Sequence, residues 1–168
     1  SFGYVAGGSS KSTVDRIDYS NDTATASTKG PLSLAKSYLA ATGNADFGYF
    51  GGGTPGPLSS VDRIDYSNDT ATASPKGPLS DARESLAATG NSSFGYFGGG
   101  TSPKVSTIDR IDYSNDTATA VAKGPLASGI NAEFAAVSSR ANAMPLKGPG
   151  NLEVPVSLGA FSRLVSQG

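Results

Sequence analysis

The phrase VDRIDYSNDTATAS stands at Val14–Ser27, returns unchanged at Val61–Ser74, and returns again at Ile108–Val121 with only its first and last letters altered. The copies are evenly spaced, with Asp15, Asp62 and Asp109 falling 47 residues apart. Two shorter phrases recur with it, KGPL at the same step and the FGY phrase after intervals of 45 and 47 residues. FGYFGGG fills Phe47–Gly53 and Phe94–Gly100, with a worn copy, FGYVAGG, at Phe2–Gly8. KGPL closes each unit at Lys29–Leu32, Lys76–Leu79 and Lys123–Leu126. A period of this length marks a supersecondary unit that cannot bury its apolar face alone and is stacked on its neighbours. Such a chain acts by presenting copies of one surface or by building a scaffold.

One unit, Ala82–Ser128, contains four strand-like segments. SLAATGN (Ser85–Asn91) reads as a short buried strand of small residues running into a turn. FGYFGGG reads as an aromatic strand ending in glycines, with Phe94 and Tyr96 on one face and Gly95 and Phe97 on the other. Its glycines allow close backbone approach and positive φ. TIDRIDY (Thr107–Tyr113) alternates, placing Ile108, Arg110 and Asp112 on one side and Asp109, Ile111 and Tyr113 on the other. Ser114, Asn115 and Asp116 are turn chemistry. TATAV (Thr117–Val121) completes the unit as an outer strand, before Gly124 and Pro125 break the chain.

Four short strands in about 45 residues is the pattern of a β-propeller blade. The unit resembles the kelch family, through FGYFGGG as the aromatic strand ending in a glycine pair and VDRIDYSNDT (Val61–Thr70) as the next strand with its Asp-containing turn. Arg83 stands where that family often carries an Arg before the innermost strand. The first full unit has Lys36 there, and the family's outer-strand Trp is missing, because the chain has no Trp. The resemblance covers roughly 2–136. It implies an all-β chain of kelch-like blades, each a four-stranded antiparallel sheet, and says nothing about activity. The wording YFGGG, DRIDYSNDTATAS and KGPLS also looks like tandem repeats in structural or tail-associated proteins of marine bacteriophages.

Repeats fill 1–128, with units at 2–28, 35–75 and 82–122. A divergent segment, 129–168, serves as a further strand, cap or assembly element. The order is b-c-d, a-b-c-d, a-b-c-d and then a candidate a-strand, GINAEFAAVSS (Gly129–Ser139), containing Phe134. Three blade equivalents are too few for a ring, which typically needs four to eight. Missing sequence or neighbouring chains must close it, and the exposed edge at Phe2–Gly8 is expected to pair with Gly129–Ser139 or with another chain. The apolar tail, with Leu152, Val154, Val156, Phe161 and Leu164, is expected to dock in that assembly. The chain opens in mid-repeat at Ser1, so a processed, truncated or partial product of something longer is expected.

Among 168 residues there is no His and no Cys. Ser-His-Asp and Cys-His catalysis, thiolate metal sites and disulfides are thereby excluded within the chain. A net charge of −1 gives no broad attraction to nucleic acid. No apolar run approaches the ~20 residues of a membrane span. Each DRIDYSND copy could be a calcium loop, but it lacks the alternating-acid spacing and the closing Glu, and an Asp–Arg pair with an Asx turn is the alternative. FGYFGGG lacks the Lys-Ser/Thr of a phosphate loop, leaving tight packing as its reading. The recurring sets Tyr19 with Asp18, Tyr66 with Asp65 and Tyr113 with Asp112 could form a glycan-binding surface, or the tyrosines could fill space between blades. Lys29, Lys76 and Lys123 read as solvated turn residues.

These features point to a non-enzymatic structural protein without cofactors, in a virion or phage tail appendage, serving assembly or host-surface attachment. Its partners would be other virion or filament subunits, further copies of itself, and a host surface glycan or protein. A secreted or cell-surface glycan-binding lectin is the alternative.

Overall fold

The computed structural model describes residues 1–102, 104–127 and 135–138. They form three antiparallel sheets in chain order. The first holds β1 (Phe2–Ala6), β2 (Val14–Asp18) and β3 (Ser27–Lys29). The second holds β4 (Ala40–Gly43), β5 (Phe47–Gly51), β6 (Val61–Asp65) and β7 (Ser74–Lys76). The third holds β8 (Ala87–Gly90), β9 (Phe94–Gly98), β10 (Ile108–Asp112) and β11 (Val121–Lys123). Strands follow one another across each sheet without crossing over. Helix among the described residues is confined to two single 3-10 turns, Tyr66–Asn68 and Tyr113–Asn115. No helix among them is long and apolar enough to cross a membrane.

The first three strand positions agree with the sequence reading. Phe47–Gly51 pairs with Val61–Asp65, matching Phe47 to Asp65 and Gly51 to Val61, and the third sheet repeats this register. The outer strand does not agree. The TATA segments are loop, and the last strand comes later, at STK, SPK and VAK. The displaced segment uses its backbone elsewhere: Ala73 N donates to Pro31 O of the preceding unit at 2.8 Å, and Ala120 N donates to Pro78 O at 2.8 Å. Pro75 sits in β7, an edge strand, where a missing N–H is tolerated.

Alternation along β5 and β6 gives each sheet a front face, towards the preceding sheet, and a back face, towards the next. Phe50, Ile64 and Ala73 on the second sheet's front pack with Val14 and Leu32 of the first unit. Tyr49, Val61 and Leu79 on its back pack with Leu86, Phe97, Ile111, Tyr113 and Ala120 of the third. Both cores therefore lie between sheets, as expected when no sheet covers its own apolar surface. Positive φ at Gly52 lets the chain turn where the next unit presses in, since a Cβ there would meet Leu86 and the Arg83 carbonyl.

The first sheet has three strands, and the second edge of β1 pairs with no strand among the described residues. Phe2, named for assembly, is 47% exposed on that sheet. Only 135–138 of the candidate strand Gly129–Ser139 are described, and they form no strand. Phe134 and the tail residues Leu152, Val154, Val156, Phe161 and Leu164 lie outside the described residues.

Candidate functional site

The repeated charged and aromatic residues converge on the junctions between sheets. Asp69, just after the 3-10 turn of the second unit, reaches back to the first sheet. Its Oδ2 accepts from Arg16 Nη1 at 2.7 Å and from Tyr4 Oη at 2.9 Å, and Lys29 Nζ lies 3.4 Å from Oδ1. Asp116 repeats the arrangement one unit on, with Arg63 at 2.7 Å, Tyr49 at 3.0 Å and Lys76 at 3.5 Å. Burial opposes ionisation of Asp69, but the Tyr4 and Arg16 hydrogen bonds and the Arg16 and Lys29 charges outweigh it, holding the carboxyl below its ordinary range.

The KGPL phrase is the other half of this clamp. Lys29 and Lys76, read from sequence as solvated turn residues, are instead ion-paired to the following unit with little exposure. Gly30 N donates to Asp69 O at 2.9 Å and Gly77 N to Asp116 O at 2.8 Å. A Cβ on Gly30 would overlap the Ala71 carbonyl, and one on Gly77 the Ala118 carbonyl. Only glycine admits the neighbouring backbone so closely.

The tyrosines offered either as a glycan surface or as space-fillers between units occupy the same junctions, and Tyr66 and Tyr113 fill them. Tyr66 stacks on Tyr4, with ring centroids 4.7 Å apart, and lies over Gly48. Tyr113 stacks on Tyr49 at 4.7 Å, and its Oη is 3.1 Å from Thr42 Oγ1. Burial pushes both phenols up to about 12. Their ring faces are taken by protein, so the set does not present three equivalent stacking platforms. Tyr19 differs, being 60% exposed. The neighbouring acids Asp18, Asp65 and Asp112 each accept from a Ser backbone N–H and hydroxyl two residues on. Those bonds lower all three carboxyls.

The remaining repeated acid points elsewhere. Asp62 lies 3.2 Å from Lys36 with neither side chain exposed, and Asp109 pairs with Arg83 in the same position. Ser33 and Ser80 hydroxyls donate to these carboxylates. Lys36 thus does the work of Arg83 despite its different head group. The three acids of a DRIDYSND copy face three separate neighbourhoods rather than one calcium-sized cluster. Among the described residues, no group of three or more His, Cys, Asp or Glu is placed to hold a metal.

Sequence reasoning missed the clamp of Asp69 with Arg16, Lys29 and Tyr4. Its signal was present: the acid and the two cations recur 47 residues apart in every unit, and a Tyr closes each FGY phrase.

No protein-family model matches the chain, and no curated protein matches it. Among solved structures, one titled "Structure of YjhT" is similar, with a TM-score of 0.59 at 16% identity. The match covers 75% of this chain and 42% of that one, so the chain spans less than half the length of the structure it resembles. At that identity the likeness concerns the fold alone.

Proposed function

We propose that this chain is a non-enzymatic structural module of kelch-like propeller blades, serving a virion or tail appendage in assembly or host-surface attachment. The observation that carries the structural reading is the use made of the repeated charges. Asp69 and Asp116, with their Arg, Lys and Tyr partners, join one sheet to the next. The buried pairs Lys36–Asp62 and Arg83–Asp109 tie the segment before each inner strand to the third strand of the same sheet. Paired-acid hydrolysis needs two carboxyls in different roles at one site, whereas these acids recur in near-identical structural settings. Support for the blade reading comes from the a-b-c-d strand order of the sheets. Support for the virion context comes from the wording of the repeats.

The test is immunogold labelling of virions from the source with antibody raised against this chain. Label on a tail, fibre or spike is expected. Label restricted to host cells, with none on particles, overturns the virion reading.

A further inference from the structure

The two ends of the array carry unmatched halves of the clamp described above. On the back of the third sheet stand Tyr96, Arg110, Lys123 and Gly124, counterparts of Tyr49, Arg63, Lys76 and Gly77. On the front of the first sheet stands Asp22, counterpart of Asp69 and Asp116. Asp69 and Asp116 are 8% and 7% exposed, while Asp22 is exposed and bonds to nothing among the described residues. Tyr19, counterpart of the stacked Tyr66 and Tyr113, is exposed as well.

Both halves already hold the posture of their engaged counterparts. The Arg110 guanidinium lies over Phe94 at 4.4 Å, as Arg63 lies over Phe47 at 4.2 Å and Arg16 over Phe2 at 4.1 Å. Arg110 Nε is buried without a hydrogen-bond partner among the described residues. Tyr19 lies over Gly3 as Tyr66 lies over Gly48. No described atom falls within 4 Å of a Cβ built on Gly124, although that position keeps the glycine its counterparts need. Nearby, a cavity of about 260 Å³ opens between Ala87, Thr89, Tyr96, Gly98, Ile108 and Leu126, with Ala136 of this chain's own later segment as a further lining residue that a second copy would meet or displace. Its position on the third sheet's back corresponds to the surface that Tyr113 and its neighbours cover on the second sheet.

We infer that the back of the third sheet receives the front of the first sheet of a second copy of this chain, repeating the internal clamp head to tail. Asp22 of one copy then takes Arg110, Lys123 and Tyr96 of the other, Tyr19 stacks on Tyr96, and Gly124 accepts the backbone around Ala24. The second copy is the occupant because this chain carries both halves of the lock, with opposite charge and matching register. A head-to-tail contact closes into a ring or continues as a filament, according to the rotation per copy. The inference rests on the reading of the chain as an assembly module.

The experiment is sedimentation velocity on the full chain over a range of concentrations. Wild type is expected to grow in mass with concentration. Asp22→Lys, Arg110→Glu and Gly124→Ala should each weaken association by ~30-fold or more while leaving the circular dichroism spectrum unchanged. A one-to-one mixture of Asp22→Lys and Arg110→Glu should associate again, because each variant retains the half the other lacks. A wild type that stays monomeric, whether another part of the chain or nothing covers the face, overturns the inference. So does association that survives both Arg110→Glu and Gly124→Ala. Association without virion labelling would remove the virion context and keep this contact, and labelling of virions with a monomeric chain would do the reverse.

Discussion

Asp116 shows what one side chain contributes at a junction. It receives a short hydrogen bond from Arg63, a second from Tyr49, and the charge of Lys76. Asp116→Asn leaves Arg63 and Tyr49 poorly matched, and a loss of about 2–4 kcal/mol is expected. The same change at exposed Asp22 should cost the isolated chain under ~0.5 kcal/mol. Urea unfolding of the two variants side by side checks the contrast. Protonation should imitate the loss at Asp69. Its carboxyl is held below the ordinary value, so its contribution is complete above about pH 4 and disappears as pH falls through the folded value. The difference in thermal midpoint between wild type and Asp69→Asn should therefore shrink as pH drops from about 5 to about 2. At the alkaline end, Tyr66 and Tyr113 favour the neutral phenol. The stability this confers is present below about pH 10 and is lost as pH rises towards 12. Tyr66→Phe and Tyr113→Phe should each remove amplitude from the late step of a tyrosinate absorbance titration.

At the scale of elements, KGPL is a socket for the loop that follows the next unit's 3-10 turn. Gly77→Ala forces a Cβ into the Ala118 carbonyl. A loss of roughly 1–3 kcal/mol or more is expected, the usual cost of overpacking. Gly124→Ala meets no described atom and should leave the midpoint of the isolated chain unchanged. Thermal denaturation at a concentration below any association compares the two. The strand order and the faces of β5, β6, β9 and β10 were legible in the sequence, because period-two alternation is a local property of the chain. The outer strand was not. TATAS has the β-branched character of a strand, but its backbone groups bond the preceding unit, and the ladder resumes only at Ser74. That competition depends on a partner about 40 residues away, which local propensity does not register.

For the molecule as a whole, stability is expected to follow position in the array. The second sheet is covered on both faces, by Val14 and Leu32 in front and by Phe97 and Tyr113 behind. Among the described residues, the front of the first sheet has no neighbouring sheet, and the back of the third has Ala136 at its cavity but no neighbouring sheet. Nearest-neighbour energetics then predicts the slowest amide exchange in β5 and β6, and faster exchange in β1, β2 and β10. Hydrogen exchange read by mass spectrometry checks this order, and equal protection of all three sheets would contradict it. The sequence by itself determined the period, the all-β class, the order of strands and the turn chemistry, since each is written in residues close together in the chain. Only the tertiary structure decided which copy of a repeated residue is engaged. Tyr19, Tyr66 and Tyr113 sit in the same phrase, yet Tyr113 is 9% exposed and Tyr19 60%. The difference arises because burial here comes from the neighbouring sheet, and identical units differ only in whether a neighbour is present.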